Sequence, residues 1–306
     1  MLTVTLVATF AAAALWQQWR SVEIEAAERA RVQAAWVLTG ALDWARLILR
    51  EDARSGGADH LAEPWAVPLQ EARLSTFLAA DRSNPGGDSS DPQEAFLSGQ
   101  ITDLQSRLNL LNLVENNKLS EPALRNFAKL FALLGLPPQE LEALASNLRL
   151  ALDSSAAGTA PLLPQRVGEL TLLGLSPGSV ALLRPYVTLL PSRTPVNLNT
   201  ASAEVLYASI APLDMAGAQR LVVERRLAHF RTLADAARLI AAKDEALSDS
   251  QHAIAARYFE VRARLRLEQT VVEERAVLQR DGLEVKTLSR EREPGELAAR
   301  ASPPQR

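Results

Sequence analysis

Cysteine is absent from the chain, which excludes disulfides, thiolate metal centres and cysteine nucleophiles, and is compatible with a reducing or an oxidising compartment. Histidine is scarce. The three present, His60, His229 and His252, show no pair at metal-ligand spacing. There is no G-x-S-x-G, no phosphate loop and no G-x-G-x-x-G, so an enzyme is not expected. Net positive charge is missing as well. The formal charge of -3 gives no general attraction for phosphate backbones, and nucleic-acid binding would need a local basic patch.

What is present is enough apolar side chain for a sizeable core: 47% hydrophobic against 23% charged. The 306 residues exceed one average domain and favour about two folded units.

Charge is also absent from Met1 to Trp19, a run that carries Leu2, Val4, Leu6, Val7, Phe10 and Leu15. About twenty such residues span a bilayer core at 1.5 Å each, and Trp16 and Trp19 followed by Arg20 resemble an interfacial belt. Residues 1–19 are therefore expected to be a membrane anchor, with Leu2, Leu6, Val7, Phe10, Leu15 and Trp16 facing lipid. No Lys or Arg precedes the run, whereas Arg20, Arg29 and Arg31 follow it, so charge alone would place the remainder in the cytoplasm.

From Val22 to Arg54 the composition is Ala, Glu, Arg and Leu with no proline, which predicts a helix continuous with the anchor, about 80 Å long in all. Glu25–Arg29 and Glu28–Arg31 are surface ion pairs at helical spacing. Trp36, Leu42, Trp44, Leu47 and Ile48 are expected to pack on a head domain. "RSGGADH" ends the helix, and "EPWAVPL" reads as extended or edge-like. The loop "RSNPGGDSSDPQ" and the following Glu94 hold Asp88, Asp91 and Glu94 without EF-hand spacing, which favours turn residues over a calcium site. "GQITDLQSRLNLLNLV" reads as a strand with Leu104, Leu108 and Leu110 on one side.

Leu119 to about Ala255 consists of short helical periods separated by Pro and Gly, including "TASAE", where Thr200 or Ser202 caps a helix with Glu204 in its first turn. The pattern then changes to period two. "RYFEVRARLRLEQ" sets Phe259, Val261, Ala263, Leu265 and Leu267 against Arg262, Arg264 and Arg266. "TVVEERAVLQRD", a turn at Asp281-Gly282 and "LEVKTLSRER" complete a three-stranded meander. An isolated strand is unstable, so the early one is expected to join this meander, making the helical block an insertion.

The expected fold is thus α+β: a long N-terminal helix on an antiparallel sheet, with a large all-helical domain inserted in the sheet. The expected boundaries are 1–19 for the anchor, 20–55 for the rest of the helix, 56–114 for a strand region, 115–255 for the inserted domain, 256–292 for the meander and 293–306 for a loose tail.

"VNLNTASAEVL" resembles the first helix of helix-hairpin-helix DNA-binding modules, whose Gly-apolar-Gly hairpin offers backbone N–H groups to phosphate. Here the hairpin reads "APLDMAG". Pro212 removes a donor and Asp214 brings a negative charge, while Arg220, Arg225, Arg226 and Arg231 alternate with Glu224 as a solvated face. A packing role is favoured over a membrane-anchored DNA receptor, which remains the alternative reading.

Five ordered blocks, "LDWARLILRED", "DHLAEPWAVPL", "ITDLQSRLNLLNLV", "RPYVTLLPSRTPVNLNTASAEVL" and "RYFEVRARLRL…EERAVLQRDG", resemble the K-type minor pseudopilins of bacterial type II secretion, the general secretion pathway protein K family. The resemblance implies a pilin-like fold and an inner-membrane protein, single-pass, with its head in the periplasm. It also implies a place at the pseudopilus tip, in complex with I- and J-type minor pseudopilins, initiating and capping assembly and contacting secreted substrates or the secretin. No nucleic-acid partner and no cofactor are implied. Calcium is left open by the acidic residues, Asp153 and Asp244 among them. Members of the family begin with a basic leader cut after a glycine, so Met1 is expected to be an internal residue of the apolar segment.

Overall fold

The computed structural model describes residues 2–74, 95–153, 158, 160–240, 247–267 and 270–294. Helix α1 runs unbroken from Leu2 to Ser55 and ends where Gly56 and Gly57 adopt φ of +63° and +116°, a backbone region that residues with a Cβ avoid. After a short 3-10 turn at Pro64–Ala66 the chain enters a five-stranded antiparallel sheet. Its strands are β1 (Leu69–Arg73), β2 (Ala95–Asp103), β3 (Tyr258–Leu267), β4 (Thr270–Asp281) and β5 (Glu284–Pro294). Neighbours follow in that order, so β2 pairs directly with β3 although more than 150 residues separate them, as in Ile101 opposite Val261.

The described residues between those two strands form a mainly helical lobe. Its helices are α2 (Glu121–Leu134), α3 (Pro138–Leu152), α4 (Pro177–Leu183), α5 (Ala203–Ser209), α6 (Met215–Leu227) and α7 (Leu233–Ala237). The expected architecture, a long helix on an antiparallel sheet interrupted by a helical insertion, is the observed one, but the insertion is not all-helical: Leu108–Asn109 pairs with Val187–Thr188, Val114–Glu115 with Lys118–Leu119 and Val196–Asn197 with His252–Ala253 as short two-stranded ribbons.

Period-two patterning in β3 works as the sequence implies. Phe259, Val261, Ala263 and Leu265 are buried, and they meet Ala34, Leu38, Leu42, Ala45 and Leu49 on α1. Trp65 closes this core, its ring edge-on to Phe259 at 5.2 Å. The stripe 34/38/42/45/49 is the helix's apolar seam at steps of three and four. The expected packing face agrees with it only in part. Leu42 is buried and Ile48 lines the core, but Trp36 is 74% exposed and Trp44 and Leu47 are also exposed, because they lie round the helix from the seam.

Several further expectations are corrected. Leu104, Leu108 and Leu110 do not share one strand: β2 ends at Asp103, and 3-10 turns at Leu104–Ser106 and Leu110–Leu113 follow. Asp103 and Asn109 cap those turns, accepting the Gln105 and Leu111 N–H groups, and this local bonding defeats the alternation. Leu108, Leu110 and Leu113 enter the lobe core with Phe127, Leu130, Phe131 and Leu144, so the lobe's packing begins ahead of the boundary expected at residue 115. At the hairpin, Asp281 pairs with Glu284, leaving Gly282 and Leu283 as the loop, with Gly282 at φ +57°. The final strand extends to Pro294, opposite Val272, so the expected tail loses its first two residues to the sheet, and the rest of it lies outside the described residues.

Replacing the fully buried Phe259 by Ala is expected to cost about 3–5 kcal/mol, and Trp36→Ala about 0.5 kcal/mol or less, in urea unfolding. Equal losses would show that the helix packs on a different face.

Candidate functional site

Where the lobe leaves and rejoins the sheet, buried polar side chains replace apolar packing. Asp103, the last residue of β2, accepts through Oδ2 from Asn197 Nδ2 at 2.9 Å and from Thr200 Oγ1 at 2.6 Å. Asn197 Nδ2 also donates to the Asp59 carbonyl oxygen at 3.1 Å, and its Oδ1 accepts from Asn199 N at 3.0 Å. Asn199 in turn exchanges a pair of bonds with the backbone of Phe230, at 2.9 and 2.8 Å. Gln105 bridges Pro195 O and Arg257 N, and Asn112 exchanges two bonds with the backbone of Thr194.

The stretch that resembles a DNA-binding helix therefore spends its polar residues on this junction. Helix α5 is capped by Ser202, whose Oγ accepts from Val205 N, while Thr200 serves Asp103. The hairpin before α6 buries Leu213 and engages its own backbone groups. Asp214 Oδ1 accepts from Gly217 N at 2.7 Å, filling the helix start that a phosphate would need. A Cβ at Gly217 would lie 2.7 Å from Leu213 Cδ1, so any larger residue there requires the Leu213 side chain to shift. Lys129 Nζ, set over the Tyr207 ring, donates to the carbonyl oxygens of Ile210, Ala211 and Leu213, so the loop presents acceptors rather than donors. Arg225, expected on a solvated face, is buried and donates to Leu198 O at 2.6 Å, and burial, with the neighbouring Arg226, lowers its pKa to about 10.

A second buried group ties α1 to the same junction. Arg280 donates to Asp52 at 2.6 Å and to both oxygens of Asp59, while Asp59 accepts from Ala256 N at 2.6 Å. Burial raises the pKa of both aspartates against the pull of Arg280. Asp52, Asp59 and Glu63 form an acidic group close enough to share a cation. The guanidinium of Arg280 bonds two of the three, and Glu63 accepts from His60 N and Trp65 Nε1. Asp153 accepts from Asn117 Nδ2; Asp88, Asp91, Glu94 and Asp244 lie outside the described residues. His60 and His229, without ligand spacing in the sequence, come together as stacked rings 3.9 Å apart, an arrangement in which the nitrogens do not converge. His252 is buried between Ser209 O and Ser248 N, and burial lowers its pKa to about 4.

The other candidate surface is the leading half of α1. Val7, Phe10, Leu15 and Trp16 are exposed, as are Trp19, Val22, Ile24 and Val32 beyond them; Arg20 lies over the Trp16 ring. Leu2 and Leu6 are in the helix, with side chains outside the described set. Among the described residues no helix is long and apolar enough to cross a membrane. Thr3, Thr5, Thr9, Gln17 and Gln18 are interspersed in the uncharged run.

A long helix laid on an antiparallel sheet whose middle is opened by a helical lobe defines a pilin-like protein with an inserted α-domain. Two family models, both described as type II secretion system protein K, match residues 106–192 and 196–255. The chain is similar to that family over its helical lobe. It is 28% identical over 287 residues to the type II secretion system protein K of Pseudomonas aeruginosa, covering 85% of this chain and 81% of that one. A chain in the crystal structure of the GspK-GspI-GspJ complex from the enterotoxigenic Escherichia coli type 2 secretion system shares the fold, with a TM-score of 0.66 at 18% identity, covering 88% of this chain and 99% of that chain.

Burial raises the pKa of Asp103 to about 6 against the bonds from Thr200, Gln105 N and Asn197. The unfolded chain releases this proton near pH 3.8, so the residue's contribution to stability falls as pH rises from 3.8 to 6. His252 acts with the opposite sign, since it must charge when acid unfolds the chain. Denaturant melts of parent and Asp103→Asn isolate the first effect: between pH 4 and pH 7 the difference is expected to move by about 2 kcal/mol in favour of Asn. A flat difference would mean that Asp103 is ionised throughout.

Proposed function

We propose that the chain is a minor pseudopilin placed at the tip of the type II secretion pseudopilus, where it associates with I- and J-type minor pseudopilins and starts and caps assembly. In this reading the head lies in the periplasm and the leading part of α1 is held in the inner membrane. The observation that carries the proposal is the division of α1 into two halves. From Ala34 onward its seam is covered by the protein's own sheet, whereas Phe10, Leu15, Trp16, Val22 and Ile24 are exposed.

Exposed apolar surface of that extent needs lipid or neighbouring helices. Subunits that add side by side through such helices satisfy it. The lobe between β2 and β3 widens the head, which favours an end position over an internal one. The role is structural rather than catalytic. The DNA-receptor reading is disfavoured by the hairpin, where Asp214 and three carbonyls bound to Lys129 stand where phosphate donors would be required.

Co-purification of the full chain in neutral detergent with its I- and J-type counterparts tests the proposal. A stable complex is expected, weakened by Trp36→Glu on the uncovered side of α1. A chain that elutes alone under all conditions would contradict it.

A further inference from the structure

The outer face of the sheet, turned away from α1, carries charge instead of a second apolar layer. Glu260 is 1% exposed on this face and grips two arginines, with Oε1 to Arg262 Nε and Oε2 to Arg275 Nε, both at 2.6 Å. The lobe overhangs this pair through the segment around Arg166 and the end of α4, enclosing a cleft of about 750 Å³. The cleft continues toward Leu69 and Gly99 as a second space of about 420 Å³ that shares Arg184, Arg262 and Arg275.

Arg107 and Arg184 stand out in these walls. Among the described residues neither has a carboxylate within ion-pair distance. Arg107 is half-buried beside two other guanidiniums. Burial pulls its pKa down, Glu260 opposes this, and Arg262 and Arg275 add to the fall. Keeping an unpaired cation there is costly unless an anion completes it. Five arginines line the larger space (Arg107, Arg166, Arg184, Arg262, Arg275) against two carboxylates, Glu169 and Glu291, while the buried Glu260 behind the wall is already engaged by Arg262 and Arg275. Two positive charges are left unmatched in a protein of net charge -3.

We propose that this cleft between sheet and lobe binds an acidic polypeptide segment, whose carboxylates lie against Arg107 and Arg184 above the Glu260-anchored pair. Planar guanidiniums suit carboxylates, and Arg262 reaches Glu260 through Nε alone, leaving its terminal N–H groups to a ligand. The two joined spaces suit an extended segment better than one small anion. The carboxylates in the walls disfavour a continuous polyanion such as nucleic acid, while a peptide can set its acidic side chains between them. The proposal rests on the cleft alone and stands apart from the membrane and partner reading above.

The test uses the full chain in neutral detergent and a fluorescent octaglutamate peptide followed by anisotropy. Binding is expected at about 20 mM salt and is expected to weaken at about 500 mM, with the octaglutamine analogue inert. Arg107→Gln is expected to weaken binding about tenfold, and so is the surface-only double change Arg166→Gln with Arg184→Gln, which leaves the half-buried position intact and guards against a folding defect. Arg226→Gln, outside the cleft, is expected to leave it unchanged. No binding to the parent, equal binding to the double variant, or displacement by inorganic phosphate at the peptide's own concentration would overturn the proposal.

Discussion

The bond set around Asp103 and Asp59 is the constraint on which the remaining architecture depends. A strand pair formed across more than 150 residues has to be closed against the entropy of the intervening chain, and apolar burial on one sheet face does not by itself fix where the lobe sits. Asp103, Asn197 and Thr200 fix it by joining the end of β2 to the start of α5, while Arg280 joins β4 to the end of α1 through Asp52 and Asp59. Buried polar groups carry a desolvation cost, so an incomplete set would be worse than none. Here each buried side-chain nitrogen and oxygen among the described residues has a partner.

That rigidity gives the proposed role its physical sense. A subunit that starts or ends a filament transmits load between a helix and a head. In this chain apolar contacts run from the seam at Leu38 and Leu49 into β3, and Tyr258, Leu104 and Leu190 pack together where the sheet meets the lobe. The same segment that elsewhere forms a phosphate grip has its helix packing intact. Its free donors are used internally: Asp214 fills the helix start and Lys129 fills the carbonyls opposite.

Much of this was legible in the sequence because it is local. Period two in β3, the proline-free run of α1 and the Gly-Pro punctuation of the lobe each reflect neighbours in the chain, and the order of those patterns already implied an insertion. What was not legible depends on distant partners. Nothing near Arg225 signals that it will be buried against Leu198, and nothing near Asp59 points to Arg280, 221 residues away. The strand expected through Leu110 failed for a local reason that was visible, the Asp103 and Asn109 caps, but their strength against alternation was not. The tryptophans of α1 show that size does not imply burial: Trp36 and Trp44 are exposed, and the seam is built from Ala and Leu.

Native-state hydrogen exchange on the full chain, comparing β2 and β3 amides with those of α2 and α5, tests most directly whether lobe and sheet are held as one unit by this junction. The account predicts a shared opening free energy for both sets in the parent, and two separate, lower values once Asn197→Ala removes the link. A lobe that already opens independently in the parent, or is unmoved by Asn197→Ala, would contradict it.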